Sequence, residues 1–426
     1  MDYLIVTQAA GYPVSPTKFA TESAFAEHLR LLRKKTKHDF DKMVVAMPLL
    51  SEVTYQANKK HLAEIETTEE IIFLPLHPQD ISFVKFWYQH FFNIKKRLSG
   101  QIKKTKIVHS GLSTDIWRPT SFISIYLAWR LKKKTLYFVD IDNRKSAWMN
   151  YQTGTWSLKS YLLCRYVYDK LRSAQIKFAV KRCALVMLKS AKLVRDYGKG
   201  QPHVKNFFDT VHSTEHILNK DKLEQKCTYL HDTNHPINFG FFGRLVAYKG
   251  LDRCIKALHL ALQKTKRPFK FHIIGTGEED ETLKILVKDL KLEEHVIFHP
   301  PVPYGTELFQ KIYDLGIDIL LAAPLREDTP RSAFDSFAAG VPILAYDIAY
   351  YDDLKDTSGA VITSPWPNVE KMAETMITCD QNRQKLIKMT RAAVEFAHQN
   401  TQDIWLDRRV KWTKAICEDE SLSDIS

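Results

Sequence analysis

Short apolar runs that alternate with longer amphipathic runs constrain this 426-residue chain most strongly. Residues 3–7 predict a buried strand and residues 21–35 a helix, and the same alternation returns as far as residue 346. Buried strands separated by helices are typical of parallel sheets that are covered on both faces. The sequence therefore predicts an α/β protein built from Rossmann-like, doubly wound sheets.

The length favours two domains, because a single core rarely serves so many residues. Between residues 206 and 236 the periodicity fades and His, Asp, Thr and Asn accumulate, which is typical of a connection. The predicted organisation is an N-terminal Rossmann-like domain (residues 1–205), an interdomain crossover (206–236), a C-terminal Rossmann-like domain (237–400), and a C-terminal helix and tail (401–426) that could pack back on the N-terminal domain.

The positive charge is concentrated in one segment. Residues 130–205 hold 18 Lys or Arg against 4 Asp or Glu, which accounts for the whole formal charge of +13. Such a field suggests an anionic partner. Trp148, Tyr151 and Trp156 beside this charge favour an anionic membrane surface. A solvated face or a protein-binding surface remains open, and nucleic acid is not expected, because it would leave the C-terminal motifs unexplained.

No targeting or membrane-spanning segment is expected. The first residues lack a basic lead and a cleavage site, and the most apolar window, residues 122–131, is far shorter than the roughly 20 residues that a span needs. The six cysteines are scattered without metal-ligand spacing, so reduced thiols are expected. The predicted location is cytoplasmic, with peripheral attachment to the inner face of the plasma membrane as an option.

A stretch after the apolar run 317–323 combines acidic residues with a helix start. Thr329 is predicted to cap a helix whose first residue is Pro330. Glu327 and Asp335 lie eight residues apart, about two helical turns. Such a helix start suits an anionic or polyhydroxyl ligand, although an ordinary capped helix of the core would show the same pattern.

Two further motifs each follow a predicted strand. Gly243, Arg244, Lys249 and Gly250 come after the run 237–242, and Gly275 and Gly277 come after the run 270–274. Arg and Lys bind phosphate groups, and glycine permits close backbone approach.

Four motifs together resemble the C-terminal domain of the family 4 (group 1) glycosyltransferases. They are Phe242-Gly-Arg244, Lys249-Gly250, Ile274-Gly-Thr-Gly277 and the acidic pair before Ala339-Gly-Val-Pro342. The resemblance implies the GT-B fold, with two facing Rossmann-like domains and an active-site cleft between them. It also implies transfer of a sugar from a nucleotide-diphosphate sugar with retained configuration, without cofactor or metal.

The resemblance also implies roles for residues. Arg244 and Lys249 would hold the pyrophosphate, Glu327 the donor sugar and Asp335 the ribose, where the family usually has Glu. The remaining donor-side candidates are Gly243, Gly275, Gly277, Thr329, Arg331 and Ser332.

On the acceptor side this chain departs from the family. Many relatives carry a His after an N-domain strand where Asp140 and Asp142 stand here. Either could position or deprotonate an acceptor hydroxyl, and a loop-capping role is equally open. Gly11, His109 and His212 are further cleft candidates. The expected acceptor is a glycan or a lipid-linked molecule of bacterial surface polysaccharide synthesis; a small-molecule or protein acceptor and a non-catalytic binding protein are the alternatives.

Overall fold

The computed structural model describes residues 1–423 and divides the chain into two compact units. The first unit comprises Met1–Asp140, Leu162–Phe207 and the chain from Leu406 onward, and the second comprises Ile141–Tyr161 and Phe208–Trp405. The basic segment 130–205 is therefore divided between the two units. The last three residues of the predicted tail lie outside the described residues.

Both units are built from strands and helices in alternation. The strands are β1 (Asp2–Val6), β2 (Gly11–Ser15), β3 (Lys18–Glu22), β4 (Met43–Leu49), β5 (Leu62–Glu66), β6 (Ile71–Pro78), β7 (Thr105–Gly111), β8 (Lys134–Val139), β9 (Leu185–Leu188), β10 (Val204–Asn206), β11 (Asn238–Phe242), β12 (Lys270–Ile274), β13 (Val296–His299), β14 (Ile319–Ala322), β15 (Ile343–Tyr346) and β16 (Val361–Ser364). The α-helices are α1 (Ser23–Thr36), α2 (Glu52–Asn58), α3 (Phe83–Lys85), α4 (Phe91–Lys104), α5 (Thr120–Arg130), α6 (Ser146–Gln152), α7 (Leu158–Leu163), α8 (Asp169–Arg182), α9 (Ala191–Leu193), α10 (Lys220–His231), α11 (Leu251–Lys264), α12 (Asp280–Asp289), α13 (Thr306–Asp314), α14 (Ser332–Ala338), α15 (Ala349–Ser358), α16 (Val369–Gln381), α17 (Arg383–Gln399) and α18 (Gln402–Cys417). π-helical turns over Phe86–His90 and Cys164–Tyr168 join α3 to α4 and α7 to α8.

The first unit contains a ten-stranded sheet in the order β10-β9-β8-β7-β1-β4-β2-β3-β5, with β6 also paired to β4. The strands from β10 to β4 pair in parallel, whereas β2, β3 and β5 form an antiparallel extension. Alternate residues of the strands, such as Leu4 and Val6 of β1, pack against α4 and α5.

The second unit contains a six-stranded parallel sheet in the order β13-β12-β11-β14-β15-β16. Neighbouring residues of one strand enter different cores: Ile319 and Leu321 pack on one face, and Leu320 and Ala322 on the other. Every residue of β14 is buried, because helices cover both faces of the sheet. Burial of each large apolar side chain contributes about 1.5–3 kcal/mol.

The α/β class and the two sheets with helices confirm the prediction from sequence, and β12 has the bounds of the predicted run 270–274. The cleft candidate Gly11 lies in the β2–β3 hairpin, where a loop would be expected from its neighbours. Gly and Pro residues are typical of loops, but in this hairpin the pairing between neighbouring strands holds them in an extended conformation. The crossover region holds α10, which was not predicted; its buried residues are Cys227 and Leu230, too few to give a clear helical pattern.

No helix within residues 1–423 combines the length and the apolar character that a bilayer crossing requires.

Candidate functional site

The candidate site lies at the carboxyl end of the second unit's sheet, where β11 and β14 are neighbours. The chain leaves β11 towards β12 on one side and leaves β14 towards β15 on the other. A crevice opens between two loops that diverge in this way, and doubly wound sheets bind their ligands there. The pocket at this place is lined by Phe242, Lys249, Asp328, Pro330 and Ser332, among others.

The loops after β11 and β14 touch each other. Leu325 donates its backbone N–H to the carbonyl of Tyr248 over 2.8 Å. A Cβ on Gly250 would lie 1.9 Å from the carbonyl oxygen of Ala323, and Gly250 has φ of +66°. Only glycine fits this position, since it combines a left-handed backbone with no room for a side chain.

The loops after β11 and β12 are equally close. A Cβ on Gly275 would lie 2.0 Å from the Gly243 carbonyl oxygen, and one on Gly277 would lie 2.2 Å from that of Leu245. Gly243 and Gly275 both have positive φ, at +142° and +148°. The structure therefore uses Gly275 and Gly277 to bring the two loops together.

The two predicted phosphate-binding cations differ in their surroundings. Lys249 places Nζ 2.5 Å from Oδ2 of Asp328 and 5.2 Å from the ring centroid of Tyr248. Arg244 is exposed. Asp328, which the sequence did not identify, thus neutralises the lysine that is predicted to meet the pyrophosphate.

Glu327 is buried in the loop after β14, with 5% of its surface exposed. Burial raises its pKa to about 7, and the negative charge of Asp142 raises it further, whereas Lys145 and a hydrogen bond from the Ala349 backbone lower it. Glu327 can therefore gain or lose a proton near neutral pH.

Asp142 is held by Arg144. Nε of Arg144 lies 2.7 Å from Oδ1 and Nη2 lies 2.5 Å from Oδ2, a two-pronged arrangement that fixes the carboxylate. The structure thus brings Asp142 and Glu327, two of the three predicted catalytic carboxylates, into electrostatic reach within the second unit. Asp140 belongs to the first unit and is exposed.

Asp335 lies within α14 and is 5% exposed. The hydroxyl of Tyr304 donates a hydrogen bond to its Oδ1 over 3.0 Å. Burial raises the pKa of Asp335 to about 7, against the Tyr304 hydrogen bond and the Arg331 charge, which lower it. Tyr304 was missed because it lies 31 residues earlier in the chain, in a proline-rich stretch without a clear pattern.

The predicted helix start is wrong by two positions. The helix α14 begins at Ser332, and Arg331 rather than Thr329 occupies the N-cap position. Asp328 accepts a hydrogen bond from the Thr329 backbone N–H over 3.0 Å, which holds this segment as a loop. Glu327 therefore precedes the helix and is not two helical turns from Asp335.

Arg331 and Ser332, at the start of α14, contact different parts of the second unit. Arg331 pairs with Asp209, with Nε and Nη2 lying 2.8 and 2.7 Å from Oδ2. Ser332 lines the pocket together with Lys249. Asp209 was also missed, since it lies in the weakly patterned crossover region.

The three further cleft candidates lie in packed surroundings. Gly11 is buried in β2, where a Cβ would meet Sδ of Met47 at 2.6 Å. His109 lies within β7, 3.2 Å from the Tyr3 hydroxyl and 3.0 Å from Arg409, and burial holds its pKa well below the usual value. His212 is fully buried with Nε2 3.0 Å from the Ala397 carbonyl oxygen, and burial lowers its pKa.

The pocket thus contains the cation Lys249 beside Asp328, and the two carboxylates with raised pKa values, Glu327 and Asp335, lie on the loop after β14 and on α14. A lysine beside backbone N–H groups can stabilise phosphate charge, and buried carboxylates can accept hydrogen bonds from sugar hydroxyls. Across residues 1–423, no three His, Cys, Asp or Glu side chains are grouped as metal ligands.

Sequence comparison connects the second unit to a known family. Residues 230–396 match the family model described as "Glycosyl transferases group 1". An uncharacterized glycosyltransferase of Haemophilus influenzae is 31% identical over 105 residues, 25% of this chain and 28% of the relative. The poly(glycerol-phosphate) alpha-glucosyltransferase of Bacillus subtilis is 23% identical over 166 residues, 38% of this chain and 24% of the relative. The chain spans only about a quarter of the length of these curated relatives.

Structural comparison covers the chain more fully. The crystal structure of Anabaena HepE in complex with UDP superposes with a TM-score of 0.61 at 13% identity, covering 97% of this chain and all of the other. At that identity the likeness concerns the fold, which is the GT-B fold of glycosyltransferases. Residues 230–396 are thus similar to the group 1 glycosyltransferases, and the fold is the one seen in glycosyltransferase structures.

Proposed function

We propose that this protein transfers a sugar from a nucleoside diphosphate sugar to an acceptor hydroxyl with retention of configuration. The observation that carries the proposal is the crevice between β11 and β14, where Lys249 and the buried Glu327 lie on loops within the matched segment. A buried carboxylate with a strongly raised pKa, on a loop beside a cleft, is typical of a functional site.

In this proposal the bond between the anomeric carbon and the diphosphate oxygen breaks, and a bond to the acceptor oxygen forms on the same face. The acceptor proton passes to the departing diphosphate. Lys249 and Arg244 stabilise the charge that develops on the leaving group, which is most of what such catalysis needs. Glu327 orients the donor sugar and Asp335 accepts the ribose hydroxyls.

The acceptor and the location are also proposed. The first unit would take the acceptor, and the basic residues of segment 130–205 would hold the enzyme on the anionic inner face of the plasma membrane. The name of the Bacillus subtilis relative, a poly(glycerol-phosphate) alpha-glucosyltransferase, supports a polymer as the acceptor. A small-molecule or protein acceptor, and a binding protein without turnover, are the competing functions.

A panel of UDP-, GDP- and ADP-sugars tests the donor, with thermal shift as the binding measurement and release of the nucleotide as the activity measurement. We expect one nucleotide class to raise the melting temperature and to be hydrolysed slowly without acceptor. No shift and no turnover with any of them would contradict the proposal, and a shift without turnover would favour the binding protein.

Two substitutions then distinguish the proposed roles of Glu327 and Asp335. Glu327→Ala should lower kcat about a hundredfold, because it removes a group placed beside the reacting sugar. Asp335→Ala should weaken nucleotide binding about tenfold, since a charge-assisted hydrogen bond is lost. Glu294→Ala, at an exposed glutamate, is the matched control and should change neither. If both site variants retain wild-type transfer, the assignment of this loop is wrong.

A further inference from the structure

An aromatic surface on the first unit is not accounted for by the donor site. Phe83, Val84, Trp87, Tyr88 and Phe92 are between 40% and 86% exposed at the start of the helix that continues as α4. The opposite side of the same helix buries Phe86 and Ile94 in the core. A helix that is apolar all round is normally buried on all sides, and contiguous exposed apolar patches mark interaction sites.

Trp117 connects this helix to the π-helical turn between α7 and α8, which contains Tyr168. Its ring lies 5.5 Å from that of Phe83, its carbonyl accepts a hydrogen bond from Nε1 of Trp87 over 3.0 Å, and its own Nε1 donates to the Tyr168 hydroxyl over 3.2 Å. Around Tyr168, the side chains of Leu162, Leu163, Tyr166, Val167 and Leu171 are 40–66% exposed. We call this combined region, residues 83–92, Trp117 and residues 162–171, the aromatic surface.

The charge around the aromatic surface is mainly positive, with Asp80 and Asp115 at its edge and Asp115 paired with Arg118. Residues 81–114 contain seven Lys or Arg and no Asp or Glu, and Lys85, Lys95 and Lys96 are exposed. The acidic residue in 162–182 is Asp169, which is buried and paired with Arg172. A second copy of the same face would bring like charges together, which opposes self-association.

We infer that the aromatic surface docks on a bilayer that contains anionic lipids. Trp and Tyr suit the interface because each has an apolar body and a polar tip, and the neighbouring lysines would meet the headgroups. The exposed Leu and Val side chains of the aromatic surface cannot stack on bases, so a single-stranded nucleic acid fits this surface less well than a bilayer does. The inference extends the proposed membrane contact of segment 130–205 to a helix outside that segment and does not depend on the donor site.

Co-sedimentation of the full-length protein with phosphatidylcholine vesicles, with and without phosphatidylglycerol, tests the inference. We expect at least tenfold tighter binding to the anionic vesicles, and loss of that advantage at high salt. The triple variant Tyr88→Ser, Phe92→Ser, Tyr166→Ser should bind at least tenfold more weakly. Lys95→Gln with Lys96→Gln should weaken binding to anionic vesicles about thirtyfold.

The controls lie outside the aromatic surface. Val53→Ser with Ile285→Ser removes apolar side chains that are 79% and 60% exposed and should leave vesicle binding unchanged, as should Lys288→Gln, at an exposed lysine. Nucleotide thermal shift without vesicles checks the fold and the donor site separately. If the triple variant does not fold, Tyr88→Ser alone, at a side chain that is 86% exposed, replaces it with an expected loss of about threefold.

Three results from the vesicle and light-scattering measurements would overturn the inference, and a fourth comes from competition with an oligonucleotide. The first three are absence of binding to both vesicle types, wild-type binding by the aromatic variants, and light scattering that shows a dimer which those variants dissociate. Displacement of the protein from vesicles by an oligonucleotide at equal charge concentration would instead assign the surface to nucleic acid and would also overturn it.

Discussion

At the scale of single residues, Lys249 and Asp328 share a contact that a bound diphosphate would have to replace. The two side chains are only 18% and 16% exposed, and the cost of desolvation offsets much of the attraction in such a pair, so a phosphate can compete for the lysine. Asp328 would also repel the incoming anion at short range. The ion pair thus lowers the affinity of the site for its proposed ligand.

We therefore expect Asp328→Asn to tighten UDP binding about threefold, and Lys249→Met to weaken it about tenfold. Titration calorimetry with UDP measures both, and Asp289→Asn, at an exposed aspartate, is the control. Weaker binding by Asp328→Asn would show instead that Asp328 holds Lys249 and the Thr329 backbone in their binding positions.

At the scale of elements, the crevice depends on how closely the loop after β11 approaches the loop after β14. Gly250 and Gly154 both have positive φ, +66° and +74°, but a Cβ would strike the Ala323 carbonyl at Gly250 and meet nothing within 4 Å at Gly154. Both alanine variants should lose about 1 kcal/mol to backbone strain. Only Gly250→Ala should lose a further 1–3 kcal/mol, roughly, through the steric clash.

Urea unfolding of the two variants measures this difference, because the backbone term is common to both. Gly250→Ala should also reduce nucleotide binding, since the loops cannot close to their present separation. Equal destabilisation of the two variants would mean that the loops do not approach as the structure shows.

At the scale of the whole molecule, two buried carboxyls make stability depend on pH. The pKa of Glu327 and that of Asp335 are both raised to about 7 by burial, from ordinary values of 4.5 and 3.8. Between about pH 4 and pH 7 the folded protein holds protons that the unfolded chain has lost. Their contribution to the free energy of unfolding therefore falls as pH rises through that range and is constant above it.

An amide cannot ionise, so the double variant Glu327→Gln, Asp335→Asn should be more stable than the wild type at pH 8, by about 2 kcal/mol or more. The advantage should shrink towards pH 5, where the wild-type carboxyls are protonated. Melting temperatures from pH 5 to pH 8 report it, with Glu294→Gln as the control. A difference that stays constant with pH would contradict the raised pKa values.

The sequence by itself determined the α/β class, the positions of most strands along the chain and the position of the motif residues. Apolar runs bounded by turn residues define strands such as β12 and β15, because burial on both faces requires continuous apolar side chains. The spacing of Glu327 and Asp335 and the glycines around Lys249 are local features, so the sequence alone could identify them.

Only the tertiary structure decided which side chains meet. Three contacts depend on the order of strands in the sheet and on how closely the loops approach each other. They join Asp328 to Lys249, Tyr304 to Asp335, and Asp142 to the surroundings of Glu327. Periodicity reports which face of an element is buried, but not which elements become neighbours. The start of α14 at Ser332 likewise depends on the Asp328 hydrogen bond to the Thr329 backbone, a loop contact that capping preferences do not include.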